Sequence, residues 1–451
     1  MIRYSLKEIA EITGGKLLPG SNGRKEIQGI ATDSRQPMTG QLFVALRGDR
    51  FNGEDFVPDA LAQGAGAVLT GTPVAAPGVL VGDALIALQT LTTHWRQRFS
   101  LPLLAVTGSC GKTTVKEILT AILNESGPVL ATRGNQNNHV GVPLTLARLG
   151  PEHRYAVLEM GMNHSGELTL LSKLARPTLA LINNAAPAHL EGLGSVAAIA
   201  AAKGEILSGL DDRGLTILNG DDPFAGFWAE RAPGEVWRFS LEHRPTRVRG
   251  HWRAHEQGGG HLEVHAPQGQ FTLEIPLPGQ HNGRNVLAAT TAALALDIPI
   301  PQIQRAVAAL KAIPGRLQWC SGPHGSRVLD DTYNANPASL EAALRVLAAQ
   351  SGQRVLVLGD MGELGPEAAL YHRQAGTLAQ QLGIERLYAL GPLAAEAADA
   401  FGVNADAFSE LPPLLVALQS RLDEDTVVLI KGSRAARMER VVQVLTGGGD
   451  A

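Results

Sequence analysis

Thr107-Gly-Ser-Cys-Gly-Lys-Thr-Thr114 is the stretch whose reading decides the fold of this chain. Ahead of it, Leu101-Pro-Leu-Leu-Ala-Val106 is short, apolar and bounded by a proline, which predicts a buried strand. Behind it, Val115-Lys-Glu-Ile-Leu-Thr-Ala-Ile-Leu-Asn124 carries apolar residues at helical spacing. A strand, a glycine loop and a helix that opens with Gly-Lys-Thr make a phosphate cradle. Successive backbone N–H groups point into the loop, and the helix N-terminus adds partial positive charge. Thr107, Gly108, Ser109, Cys110, Gly111, Lys112, Thr113 and Thr114 are therefore the expected nucleotide contacts. Lys112 would reach the β/γ-phosphates, and the Thr113 hydroxyl would hold Mg²⁺. The general pattern is Gly-x-x-x-x-Gly-Lys-Ser/Thr, whereas only Ser109-Cys110 separate Gly108 from Gly111. A plain glycine turn is the competing reading; the strand and helix on either side favour the cradle.

The remaining chain falls into three α/β stretches. Residues 1–80 carry short strand-like runs such as Gln41-Leu-Phe-Val-Ala-Leu46, then a helix-turn-strand at 60–69. Their polar clusters, Thr32-Asp-Ser-Arg35 and Phe51-Asn-Gly-Glu-Asp-Phe56, read on pattern alone as solvated turns. Arg35 beside the Ser34 hydroxyl nevertheless has the chemistry to take a diphosphate. In residues 81–312, strands expected at 155–159, 179–182 and 215–218 alternate with helices at 166–175 and 196–207. That rhythm predicts βαβ units, a mostly parallel sheet and a ligand at the carboxyl ends of its strands. Residues 236–277 alternate apolar and polar, which predicts an antiparallel insertion with one solvated face. A helix with Asn282 and Asn285 follows. Residues 313–451 repeat the rhythm as a second, Rossmann-like domain, with strands at 327–329, 354–358, 386–390 and 426–430. Two such domains imply a cleft that closes.

Composition narrows the partners. A chain of 451 residues with 44% hydrophobic and 18% charged residues is expected to be soluble and globular. A formal charge of −4 leaves no basic footprint for nucleic acid, and 4% aromatics supply no stacking platform. Two cysteines, Cys110 and Cys320, are too few for a disulfide framework. No leader-like or membrane-spanning apolar run is present, so a cytoplasmic monomer is expected.

Several polar residues fall where chemistry is expected. Glu159 ends a strand beside the phosphate loop, where a carboxylate would complete a Mg²⁺ site with Thr113; capping the next helix is the plainer reading. His189 alone reads as a solvated loop side chain, and Lys203 alone as a surface charge on an alanine-rich helix. The amides of Gly134-Asn-Gln-Asn-Asn-His139 are denser than a turn needs and suggest polar recognition. Residues 330–337, 359–365 and 431–434 are three polar loops that each follow a strand, so they crowd one sheet edge.

Together these residues resemble the muramyl ligases of peptidoglycan synthesis. The resemblance runs over the whole chain. It rests on Thr-Gly-x-x-Gly-Lys-Thr-Thr at 107–114, Asn-x-Asn-Asn at 135–138, Leu-Glu-Met-Gly-Met at 158–162 and Lys-Gly-Glu at 203–205. His-Asn-x-x-Asn-x-x-Ala-Ala at 281–289, Pro-Gly-Arg at 314–316, Leu-Gly-Asp-Met-Gly-Glu-Leu-Gly at 358–365 and Lys-Gly-Ser-Arg at 431–434 extend it. Asp-Asp-Thr-Tyr-Asn-Ala-Asn-Pro at 330–337 points to the branch that adds D-alanyl-D-alanine, because sibling ligases carry Asp-Tyr-Ala-His-x-Pro near that site.

The resemblance implies three domains: 1–80 for the UDP of a muramyl peptide, 81–312 for ATP, and 313–451 closing over both. It implies ATP and Mg²⁺ as cofactors, and UDP-N-acetylmuramoyl-tripeptide and D-alanyl-D-alanine as substrates. The peptide carboxylate would be activated as an acyl phosphate. Lys112, His189 and Lys203 become the catalytic residues. Thr113 and Glu159 would hold one Mg²⁺, and His189 and Lys203 a second, with a carbamate on Lys203. Asn285 would read adenine, Asn282 would also contact the nucleotide, and Arg316 and Asp331 would hold the phosphate and ribose end. Asp33, Ser34, Arg35 and Asn52 would face UDP. Asn135, Asn137, Asn138, Tyr333, Asn334, Asn336, Lys431 and Ser433 would complete the substrate contacts. A folylpolyglutamate or cyanophycin-type ligase would share the ATP site, but its chain would not carry a uridine-binding type of domain at 1–80. A regulator with a dead site would not need Lys112, Thr113, Glu159, His189 and Lys203 together.

Overall fold

A computed structural model describes residues 1–48, 50–242, 244–255 and 258–447. Its largest sheet has nine strands, and the phosphate loop hangs from the third strand in from the Val129–Ala131 edge. The strand Leu103–Thr107 lies between Tyr155–Glu159 and Leu179–Ile182, parallel to both. All five of its residues are buried, as a strand covered on both faces requires. The strand starts later than the apolar run suggests, because Pro102 has no N–H to give to the ladder. The helix Lys112–Asn124 leaves the loop with Val115, Ile118, Leu119, Ile122 and Leu123 buried on one face. That i, i+3, i+4, i+7 stripe packs into a core shared with the helix Gln280–Ala295.

Outward from the phosphate-loop strand, the sheet runs through Leu179–Ile182, Leu215–Asn219, Glu235–Ser240 and Val248–Ala254, all parallel. Only Gly260–Ala266 and Gly269–Ile275 add on antiparallel. The stretch expected as an antiparallel insertion thus begins as a parallel continuation. The short helix Ala225–Ala229 between Leu215–Asn219 and Glu235–Ser240 supplies the crossover that a parallel pair needs. The solvated face does follow the alternation: Phe271, Leu273 and Ile275 are buried while Thr272 and Glu274 are exposed.

A six-stranded sheet, Gln318–Ser321 to Thr426–Lys431 in extent, is parallel except at its first strand and carries a separate core on each face. Toward the N-terminus, a five-stranded sheet spans residues 16–80. One hydrophobic core joins Leu6, Ile9, Val79 and Leu91 to Leu103, Leu146 and Trp228, so apolar packing runs across residue 80 without a break. Among the described residues no helix is long and apolar enough to cross a membrane. The architecture is a three-domain α/β one built on parallel sheets.

Candidate active site

A cavity of about 1080 Å³ opens where the carboxyl ends of the nine-stranded sheet face the loops of the six-stranded one. Its floor is the phosphate loop. Gly111 adopts φ +80, and a Cβ there would stand 2.4 Å from Asn285 Oδ1 and 2.6 Å from Asn183 Nδ2. Only glycine lets the loop pass so close to these amides. Asn184 Oδ1 accepts the Cys110 N–H at 2.8 Å, and Asn183 Nδ2 donates to Cys110 O at 3.0 Å and to Asn285 Oδ1 at 3.0 Å. Lys112 Nζ donates to Gly108 O at 2.7 Å, which folds the side chain back over the loop. Burial pulls the Lys112 pKa down against the opposing pull of Glu159.

The carboxylate of Glu159, buried at its strand end, accepts from Thr113 Oγ1 at 2.8 Å and from Asn137 Nδ2 at 2.8 Å. A hydroxyl and a carboxylate in contact beside a phosphate cradle form a hard-oxygen donor set, which suits Mg²⁺. Across the cavity, Arg316 Nη2 donates to the same Thr113 hydroxyl at 2.9 Å, and its guanidinium lies 4.2 Å from the Tyr333 ring centre. Arg316 Nε is buried with no partner among the described residues, a cationic donor left to a ligand. Asp331 and Lys431 pair at 2.5 Å behind it, and burial still holds the Asp331 pKa above its ordinary value. Two further contacts close the domains on one another. Cys110 Sγ donates to Asn336 Oδ1 at 3.3 Å, and His189 Nδ1 lies 2.5 Å from Glu363 Oε2. His189 (φ 56) and Glu363 (φ 62) are both left-handed without being glycine, so two strained backbones face each other here. The hydrogen bond with His189, ahead of every other cause, lowers the Glu363 pKa.

The cavity wall gathers most of the residues singled out from sequence: Ser109 to Thr114, Asn137, Asn138, Glu159, His189, Asn282, Asn285, Arg316, Asp331, Tyr333, Asn334, Asn336, Lys431 and Ser433. Thr107 and Gly108 support the loop from beneath, Thr107 Oγ1 donating to Met160 O at 2.9 Å. Asn135 is exposed and outside the wall. Asp33, Ser34, Arg35 and Asn52 also stand outside it. Arg35 already spends its fork on Asp33, at 2.8 Å from each carboxylate oxygen, and Asn52 caps the short helix Gly53–Phe56.

Lys203 is not the surface charge its local sequence suggests. It is 1% exposed, on the inward side of the helix Val196–Gly204 together with Ile199, Ala200 and Ala202. Its ammonium makes no hydrogen bond or ion pair among the described residues. Burial, helped by the charge of Lys112, holds its pKa well below the ordinary value. Sequence reasoning did not pick out His281, Glu363 or Asp222 as site residues. His281 lines the cavity with its pKa pushed down to about 4 by burial and by Lys431 and Arg284. Asp222 accepts the Ala185 N–H at 2.8 Å and so holds the loop that carries His189. Glu363 and Asp222 lie in polar loops after strands, the one signal that marked them.

A phosphate loop facing a second parallel sheet across a shared cavity defines an α/β nucleotide-phosphate enzyme whose site two domains assemble. Comparison with known proteins sharpens that class. "Mur ligase family, catalytic domain" matches residues 26–87, "Mur ligase middle domain" residues 106–293, and "Mur ligase, glutamate ligase domain" residues 315–434. The chain belongs to the Mur ligase family. It is 40% identical to the UDP-N-acetylmuramoyl-tripeptide–D-alanyl-D-alanine ligase of Escherichia coli (strain K12), with 100% of each chain covered. The fold superposes on MurF from Acinetobacter baumannii with a TM-score of 0.92 at 34% identity, over 99% of each chain. It superposes on the MurF ligase of Thermotoga maritima, solved in complex with ADP, with a TM-score of 0.84 at 28% identity, over 93% of this chain and 97% of that one.

Proposed function

We propose that the protein is the ATP-dependent ligase that joins D-alanyl-D-alanine to UDP-N-acetylmuramoyl-tripeptide, releasing ADP and phosphate, in peptidoglycan precursor synthesis. The carrying observation is the single cavity that sets Lys112, Thr113 and Glu159 of one sheet against Arg316, Asp331 and Lys431 of another. End-to-end likeness to relatives named for this reaction supports it.

A carboxylate is a poor electrophile, so the peptide carboxylate oxygen first attacks the γ-phosphorus of ATP. The bond to ADP breaks and an acyl phosphate forms. The D-alanyl-D-alanine nitrogen then attacks the acyl carbon, phosphate leaves with the C–O electron pair, and the nitrogen loses a proton. Little covalent work falls to the protein, which positions the reactants and balances charge. Lys112 and Arg316 flank the transferred phosphoryl group. Thr113 and Glu159 would hold Mg²⁺, which would neutralise the phosphate oxygens. Asn282 and Asn285 meet the base, and Asp331 the ribose. Asn137, Asn138, Tyr333, Asn334, Asn336, Lys431 and Ser433 line the substrate side. In this reading domain 1–80 takes the uridine diphosphate through Asp33, Ser34, Arg35 and Asn52, with Arg35 exchanging Asp33 for phosphate. Domains 81–312 and 313–451 close on ATP.

Lys203 carries a carbamate in this account. Burial lowers the Lys203 pKa and so favours the neutral amine, whose nitrogen can attack CO₂ and lose a proton. The anion so formed would offer two oxygens to a second Mg²⁺, which His189 would also hold. The enzyme acts as a monomer in the cytoplasm. Phosphate release from ATP tests the reading. It should require UDP-N-acetylmuramoyl-tripeptide and D-alanyl-D-alanine together and yield the pentapeptide. Turnover with a folate or with another amino acid, and none with D-alanyl-D-alanine, would overturn it.

A further inference from the structure

The solvated face of the antiparallel strands carries a group of side chains that the ligation chemistry does not use. His255, His261 and Glu274 each place one ligand atom within 4.8 Å of the other two. We propose that these three residues form a binding site for a transition-metal dication of the zinc class.

The backbone builds the group. His261 and Glu274 are direct partners across the pair Gly260–Ala266 and Gly269–Ile275, so their Cβ atoms sit side by side on one face. His255 follows the end of Val248–Ala254 and is turned back over that face by a glycine turn. Its N–H donates to Gly259 O at 3.1 Å, and the Gly258 N–H donates to His255 O at 3.2 Å. Gly259 adopts φ +72, and a Cβ there would lie 2.5 Å from Ile275 O, so only glycine makes the turn this tight. The ring nitrogens His255 Nε2 and His261 Nδ1 then stand 3.1 Å apart, with Glu274 Oε2 3.9 Å from His255 Nε2. Two nitrogens bound tetrahedrally to Zn²⁺ at about 2.0–2.1 Å are separated by about 3.4 Å. The pair is thus close to its spacing in a zinc site before any metal arrives.

Ligand chemistry selects the metal. Two imidazoles with one carboxylate suit Zn²⁺, Ni²⁺ or Cu²⁺ and are poor for Mg²⁺ or Ca²⁺. The competing cation nearby, Arg253, leans 3.5 Å from Glu263. Water completes the coordination, since His255 and Glu274 are exposed. A bound ion would tie the glycine turn to the edge strand. That turn also meets the other domain, because a Cβ on Gly258 would lie 3.6 Å from Trp319 Nε1.

Equilibrium dialysis of the full-length protein against Zn²⁺ in excess Mg²⁺ tests the site, and it reads metal rather than turnover. Wild type should bind one Zn²⁺ more than His255→Gln, His261→Gln or Glu274→Gln. Losing an outer-sphere partner costs about 10–100-fold in metal affinity, so each ligand variant should bind at least about a hundredfold more weakly. Thermal melts of the metal-free variants should stay close to wild type, since His255 and Glu274 are exposed and His261 is only half-buried. Equal zinc stoichiometry and affinity in wild type and all three variants would overturn the proposal, as would the absence of any bound zinc in wild type.

Discussion

Adding one carbon to the phosphate loop should cost this enzyme most of its activity while leaving the fold in place. In Gly111→Ala the new Cβ meets Asn285 Oδ1 at 2.4 Å and Asn183 Nδ2 at 2.6 Å. An ordinary carbon contact begins near 3.4 Å, so either the loop or the two hydrogen-bonded amides against it must shift by about 1 Å to admit it. A displacement of about 1 Å at reacting groups commonly costs on the order of a hundredfold in rate. The residue also keeps a left-handed backbone, φ +80, which adds about 1–2 kcal/mol of strain for an L side chain. We therefore expect kcat/KM for ATP to fall about a hundredfold with a modest drop in Tm. Gly226→Ala is the control. Its Cβ would meet nothing within 4 Å, and it lies in the helix Ala225–Ala229. Alanine there should keep full activity and gain up to about 1 kcal/mol in helix propensity. Initial rates of phosphate release and thermal melts on both variants decide the matter. A Gly111→Ala enzyme with near wild-type kcat/KM would refute the packing argument for the loop.

Further outcomes follow from the same geometry. Lys112→Ala should fold normally and lose on the order of a hundredfold or more in ATP-dependent turnover, since it removes a charge placed for the transferred phosphoryl group; rates near wild type would remove Lys112 from the site. Lys203→Ala should be inactive and partly rescued by acetate or formate but not by chloride at matched ionic strength, because a small carboxylate refills the anion position; no rescue, with full wild-type activity in CO₂-free buffer, leaves a simple phosphate contact instead. His281 is neutral in the fold, with its pKa lowered from 6.5 to about 4. The unfolded chain therefore binds the proton first on acidification. The stability this histidine contributes is full above pH 6.5 and is lost as pH falls toward 4, about 3 kcal/mol in all. Denaturation curves of His281→Gln should show that slope flattened, and an unchanged slope would assign it to other groups. Closure rests on contacts such as Arg316–Thr113 and His189–Glu363. Small-angle scattering should show a smaller radius of gyration once an ATP analogue and the muramyl tripeptide are both bound, and no change at saturation would count against closure.

What was legible in the sequence was whatever short-range pattern controls. The strand, glycine loop and amphipathic helix around residues 101–124 are set by apolar spacing and by a turn only glycine makes, and both are local. The strands at 155–159, 179–182 and 386–390 could be read for the same reason, and so could the solvated face of 260–275. Strand direction at 235–254 could not. Residues 235–240 read like the antiparallel strands after them, and only the crossover helix makes them parallel. Nor could burial that depends on distant elements. Lys203 sits on a short alanine-rich helix, and its desolvation comes from the surrounding packing, which draws on residues far along the chain. Glu363 joins the site only because the 313–451 segment docks against the phosphate-loop sheet, and the same docking sets Lys431 against His281. Sequence composition sets which faces are apolar, but it does not say which face meets which. That choice is made by long-range packing, and the ionisation of a buried lysine or histidine follows from it.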